Sequence, residues 1–196
     1  MVILNRRLRR LVLPAHLAMV VILVGALLGL AVPVHAQAPA DEAEYQVKAA
    51  FLYKFLAYVE WPASALQSAD APIVIGVLAA EPLAEELSRV VASRTAGGRP
   101  VSVRRVGIGD PVGHLHVLFV GRSQGARVTS IVARAAGHAL LVVTESDEGL
   151  APGSIINFTV VDDKVRFDVG LHRAEQAGLR ISARLLSVAR KVVTSP

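Results

Sequence analysis

The sequence predicts an α/β protein: a three-layer sandwich around a mostly parallel sheet, with an antiparallel C-terminal hairpin. Three observations carry that expectation. Runs such as Pro72–Ala79 (PIVIGVLA) and Ala139–Thr144 are apolar at almost every position, as strands buried on both faces are. Helix-like stretches alternate with them, the pattern of crossover units on a parallel sheet. Near the end, two β-like runs are joined only by Asp162-Asp163, a connection short enough for a hairpin.

Glu42–Trp61 reads as a helix. Val47, Ala50, Phe51, Lys54, Phe55 and Tyr58 recur at spacings of three and four, and nothing breaks the run before Pro62. It carries Tyr45, Phe51, Tyr53, Phe55, Tyr58 and Trp61, more aromatics than one stripe can hold. Part of that set is therefore expected to face something other than the core, with Tyr53 and Tyr58 the candidates for a partner or dimer surface. Pro72–Ala79 follows as a strand. Pro82 then opens a helix with Glu81, Glu85 and Glu86 near its positive end, running to about Arg94 and ended by Gly97-Gly98. Pro100–Val106 alternates as a strand with one polar face, and His116–Val120 is the next strand. Gln124–Ala136 is expected to be a helix closed by Gly137, and Ala139–Thr144 a buried strand. Ser154–Val161 and Lys164–Val169 form the hairpin. Arg173–Val192 closes the chain as one helix, with Leu179, Leu185, Leu186 and Ala189 inward.

The first 36 residues have a different character. Arg6, Arg7, Arg9 and Arg10 precede the apolar stretch Leu17–Val32, which ends in Val34-His35-Ala36. A basic start, an apolar middle and a small-residue end are the layout of a secretory signal, read here as residues 1–36 with cleavage after Ala36. The alternative is an uncleaved anchor, since Leu11–Val34 exceeds the roughly 20 residues that cross a bilayer. On either reading the arginines stay cytoplasmic and the body is exported, outside the cytoplasm. Gln37–Ala43 is expected to be a mobile lead-in, and 44–193 the folded domain.

Composition narrows the function classes. Four of the 21 basic residues lie in the leader and none of the 16 acidic ones does, so the remaining body is nearly neutral at +1. That gives no footing for nucleic-acid binding, which needs a dense basic face. The chain has no cysteine, so disulfides, thiol catalysis and thiolate–metal sites are excluded. No cofactor motif of the G-x-G-x-x-G or G-x-x-x-x-G-K-[ST] type occurs.

Gly121-Arg122-Ser123-Gln124-Gly125 fits G-x-S-x-G and lies between a strand and a helix, where a nucleophile elbow belongs. Asp147 and His172 follow in the order a serine hydrolase uses, giving Ser123, His172 and Asp147 as one candidate constellation. The same turn suits local backbone needs, because Ser caps helix starts and Gly relaxes tight turns. It also suits an anion or small effector, held by backbone N–H groups and Arg122. Arg122, Ser123 and Glu145 are accordingly the candidate ligand-binding residues, at the carboxyl end of the strands. His114 and His116 form H-x-H, which suits a metal pair or a half-buried structural pair. Asp162-Asp163 is explained by the hairpin turn without calcium. Glu145, Asp147 and Glu148 follow the fourth strand and shape either a polar pocket or a solvated loop.

Several stretches line up with one family. Val47–Phe55 (VKAAFLYKF) followed by Val59-Glu60-Trp61-Pro62, then Gly153–Phe158 (GSIINF), Val165–Val169 (VRFDV) and Ala174–Ala189 (AEQAGLRISARLLSVA) resemble the YfiR-like family of exported proteins. That family typically shows VKAAFLYNF…VEWP, GGMINF, VRFEI and AGLKISSKLLKLA in the same order. The resemblance implies a periplasmic α/β domain without known catalysis that represses the exposed sensor of an inner-membrane diguanylate cyclase. It thereby implies lower cyclic di-GMP and biofilm formation, a homodimer, and small effectors. The chain departs from the pattern at Ser154, at Gly170 and in lacking cysteine, which removes the redox control associated with the namesake type. A serine hydrolase and a small-molecule carrier for a transporter remain the alternative classes.

Overall fold

The computed structural model describes residues 38–195 apart from 67, 69, 135 and 136, with side chains from residue 41 onward. The expected signal segment 1–36 and its cleavage point therefore lie outside the described residues.

Helix α1 (Ala38–Phe55) opens the described chain, so it already runs through the expected lead-in. It stops at Phe55, in a turn whose N–H groups at Leu56, Ala57 and Tyr58 bond the carbonyls three residues back. Val59–Glu60 then forms strand β1 rather than extending the helix to Trp61. Strand β2 (Ile73–Leu78) leads to α2 (Glu81–Val91), where Pro82 sits in the first turn as expected. Gly97 and Gly98, at φ +56° and +79°, do not simply end this helix. They turn a hairpin between β3 (Thr95–Ala96) and β4 (Arg99–Arg105). β5 (Val117–Val120) is followed by a 3-10 segment, Arg122–Arg127, and only then by α3 (Val128–Ala133), where one helix was expected. β6 (Leu141–Glu145), β7 (Ile156–Val161) and β8 (Lys164–Gly170) complete the run. Asp162 and Asp163 both take positive φ in the β7–β8 hairpin, as a two-residue turn of that kind requires.

The largest correction is at the end. The single helix expected over Arg173–Val192 is α4 (Leu171–Gln176), β9 (Arg180–Ile181), α5 (Ala183–Leu186) and β10 (Lys191–Val193). Gly178 causes the break. At φ +72° it donates to Glu175 O, while the next residue, Leu179, donates to Ala174 O. That bond pair is a Schellman stop, with Leu179 buried beside it. The leucines of the expected stripe still point inward, Leu179 and Leu185 fully, but from separate pieces of chain.

The main sheet has the order β10-β8-β7-β6-β5-β2-β4-β3, and β1 pairs with β9 in a separate two-stranded sheet. Strands β4, β2, β5, β6 and β7 are mutually parallel. Their order is that of flavodoxin-like doubly wound sheets. β8 returns antiparallel against β7, but β10 covers its outer side in parallel, so the hairpin is not the sheet's edge.

One face of the sheet carries α1, α2 and α5 on a large apolar core. The other carries α3 and the 107–116 connection on a smaller one. In the large core, the Phe55 ring stacks on Phe158 at 5.8 Å and meets Phe167 edge-on at 5.1 Å. Burying a ring of this size contributes roughly 1.5–3 kcal/mol. Helix α1 buries Lys48, Ala49, Leu52 and Phe55, with Leu56 buried in the turn after it, while Val47, Ala50 and Lys54 are exposed. Much of the stripe singled out in the sequence is thus the outward one. The inward stripe escapes the pattern because a lysine stands in it. No helix of the described residues is long and apolar enough to cross a membrane.

Candidate functional site

In doubly wound sheets ligands enter beyond the carboxyl ends of the strands, where the winding reverses. Here that point lies between β2 and β5, and the backbone closes it. Gly121 N donates to Leu78 O at 2.8 Å, and a Cβ on Gly121 would stand 2.2 Å from the Ala79 carbonyl oxygen. Only glycine fits there, and the two loops seal the crevice. The open space lies one strand over, between β5 and β6. It is a cleft of about 610 Å³ whose lining includes Val120, Arg122, Thr129, Thr144, Glu145 and Ser146.

The wall behind that cleft is a buried charged network. Lys48 on α1 is 1 % exposed, and its ammonium donates to both Glu145 Oε2 and Glu44 Oε1. Glu145 sits at the end of β6, 97 positions away in sequence, and is also buried. Its second oxygen, Oε1, accepts the Arg122 backbone N–H at 2.9 Å. The Arg122 guanidinium lies 3.6 Å from Glu44. Tyr45 completes the cluster, with the Lys48 ammonium 5.1 Å from its ring centre. Burial, and then the Glu145 and Glu44 carboxylates, push the Tyr45 phenol above its ordinary pKa, against a smaller pull from Arg122. The expected anion-receiving turn thus holds a carboxylate of the chain itself. Of the candidate ligand-binding residues, Arg122 and Glu145 are brought together, backbone N–H to carboxylate. Ser123 is exposed on the neighbouring 3-10 segment.

Behind β6 the polar groups satisfy one another. Thr144 Oγ1 bonds Ser154 Oγ at 2.8 Å and Asn157 Oδ1 at 2.9 Å, and Asn157 Nδ2 donates to Ser146 O. This network holds the 146–154 loop that forms one wall of the cleft. Ser154, where the family pattern has glycine, is fully buried and takes part in it.

The hydrolase constellation is not assembled. Asp147 and His172 line one pocket of about 320 Å³, and Ser123 is not among its walls. His172 Nε2 pairs with Gln176 Nε2 at 3.0 Å, and among the described residues neither Ser123 nor Asp147 bonds it. A hydroxyl without a base in reach is not activated.

At the opposite, amino end of the sheet lies a cavity of about 690 Å³ walled by Pro62, Ala65, Val74, His114, His116 and His138, among others. Both ring nitrogens of His116 are used: Nδ1 accepts the Val74 N–H at 3.1 Å, and Nε2 lies 3.2 Å from Ala65 O. This fixes a neutral ring with its proton on Nε2. Burial lowers its pKa, partly offset by the Ala65 bond. Trp61 Nε1 donates to the His116 carbonyl at 3.2 Å. His114 Nε2 lies 3.1 Å from an Arg104 guanidinium nitrogen. The H-x-H pair therefore has local structural partners, and no group of three His, Asp or Glu side chains among the described residues is arranged to hold a metal.

Tyr53 and Tyr58 are half-buried at the margin of the large core. The Tyr53 hydroxyl donates to Thr95 O at 2.8 Å and its ring faces Arg94. Sequence reasoning missed Lys48 and Glu44 altogether. The available signal was their i,i+4 spacing, with Lys48 continuing the Leu52–Phe55 row.

Fold and site together define a class: an α/β sandwich domain whose switch-point crevice is sealed and whose charged residues bind one another beside an open cleft. The chain matches the family model DUF4154, described as YfiR/HmsC-like, over residues 45–190, and it belongs to that family. No curated protein matches it.

Proposed function

We propose that this chain is a periplasmic regulatory binding protein that holds an inner-membrane diguanylate cyclase inactive and so lowers cyclic di-GMP signalling. The observation that carries the reading is the family match across 45–190, nearly the whole described domain. The basic and apolar leader supports export through a cleaved signal, and the unassembled hydrolase set favours binding over turnover. Repression works by population shift. A regulator moves its partner from mostly active to mostly inactive only if it binds the inactive state about 10⁴-fold more tightly.

Two features serve that role. The outward face of α1, with Val47, Ala50 and Lys54 exposed and Tyr53 and Tyr58 at its margins, is the proposed surface for the partner or for a second copy in a homodimer. The cleft beside Arg122, Ser123 and Glu145 is the proposed effector site, where the exposed Arg122 guanidinium would meet an anionic group.

Deleting the gene should raise cellular cyclic di-GMP and biofilm. A full-length copy should restore both, and a copy lacking residues 1–36 should not. Unchanged cyclic di-GMP after deletion overturns the reading. Tyr53→Ala combined with Tyr58→Ala should release repression at unchanged protein level. A variant that still represses removes the two tyrosines from the partner surface.

A further inference from the structure

Among the described residues the far edge of the main sheet is open. There β3 pairs only with the first two residues of β4, Arg99 and Pro100, leaving Val101–Arg105 with a strand neighbour on one side, β2. Which backbone groups face outward follows from alternation along a strand. Val106 N donates inward to Val77 O, and Arg99 faces Ala96 outward across the hairpin. The odd residues Val101, Val103 and Arg105 therefore turn their N–H and C=O groups away from β2. The even residues Ser102 and Arg104 hold the ladder.

Edges are kept from pairing by proline, bulges, charged side chains, inward charges or shortness. In β4 the proline, Pro100, stands at the start of the strand, where β3 already covers it. Val101–Arg105 has no proline and an unbroken register against β2, and its exposed charges are Arg104 and Arg105. Val101 and Val103 are half-buried against the large core, so a neighbouring strand would finish covering them. Arg104 and Arg105 are exposed and leave the strand on opposite faces, as successive residues must. Each has one partner nearby: Arg105 bonds Glu81 Oε1 at 2.5 Å, and Arg104 meets His114.

We infer that β4 is a docking edge for an extended acidic segment of a partner protein, added as a further strand. Main-chain bonds to Val101, Val103 and Arg105 supply the affinity. Adjacent carboxylates on the incoming strand meet Arg104 on one face and Arg105 on the other. Two cations straddling one open edge fix the charge of the occupant. A second copy of β4, Arg99–Arg105, has no carboxylate to offer them.

The test uses the full chain and two synthetic hexapeptides, Val-Thr-Val-Glu-Glu-Val and Val-Thr-Val-Lys-Lys-Val. The acidic peptide should bind, more weakly at high salt, and should slow amide exchange at Val101, Val103 and Arg105. Its affinity should fall by at least about tenfold in Val103→Pro, which removes one outward donor and leaves the β2 ladder whole. Arg104→Glu combined with Arg105→Glu should reverse the preference between peptides, and this variant decides the matter if the proline form does not fold. Three outcomes overturn the inference: no binding of the acidic peptide at millimolar concentration, equal binding of both peptides, or concentration-dependent protection of Val103 without peptide. The last would assign the edge to a second copy. None of these bears on cyclase repression, which the gene deletion reads separately.

Discussion

The two ends of the sheet hold the same kind of task with opposite chemistry. At the carboxyl end, α1 is tied down by charge: Lys48 between Glu44 and Glu145, all at least partly withdrawn from water. At the amino end, the 61–65 segment is tied down by a neutral ring: His116 bonded to Val74 and Ala65, with Trp61 on its carbonyl. A buried ion pair is expensive to halve, because the survivor is a charge out of water. A buried neutral imidazole is stable until it is asked to ionise. The first end should therefore be sensitive to mutation, the second to acid.

The largest expected effect tests the charged end. Lys48→Ala leaves Glu145 buried without its cation and should cost about 3–5 kcal/mol in urea unfolding. Lys48→Met combined with Glu145→Leu removes both charges and should recover much of that loss. If the double variant is as unstable as Lys48→Ala, packing of the lysine stem, not the ion pair, is what holds α1.

The next effect tests the neutral end. Folded His116 gives up its proton more readily than the unfolded residue, whose pKa is 6.5. Its stability contribution is therefore complete above that value and is lost as pH falls through the lower folded one. Protonation puts a hydrogen on Nδ1, where the Val74 N–H already points. Arg99 and His114 add positive charge nearby, each in the same direction. Thermal midpoints of the wild type should fall from about pH 8 to about pH 5, and the fall should be shallower in His116→Gln. Parallel curves would move the acid sensitivity to another group.

The same contrast explains what the sequence made legible. Local chemistry was readable. Pro82 marked a helix start, Asp162-Asp163 a hairpin, and the runs Pro72–Ala79 and Ala139–Thr144 doubly buried strands, found as Ile73–Leu78 and Leu141–Glu145. The neutral end was partly readable too, since a histidine opening an apolar strand suggested a half-buried structural role. Long-range pairing was not. Lys48 looks like a solvent residue until Glu145, 97 positions on, is known to lie above it. With a lysine in it, the row Lys48, Leu52, Phe55 does not read as an inner face, although all three are buried. The C-terminal helix failed for a different reason. Leucine spacing is the same in one helix as in short pieces that all drain into one core. Only the positive φ at Gly178 separates the two, and glycine is compatible with either.

The smallest expected effect divides the charged end within itself. Arg122 contributes two things: a backbone N–H to Glu145, and an exposed guanidinium 3.6 Å from Glu44. Arg122→Ala keeps the first and removes the second. An exposed pair at that distance is screened and costs side-chain entropy to hold, so the loss should stay within about 0.5 kcal/mol. The 3-10 turn should remain closed over Glu145, since its donor survives. A loss approaching that of Lys48→Ala would mean that the guanidinium shields Glu44 and Lys48 from water. The cleft would then be a structural wall, with no free cation to offer an effector.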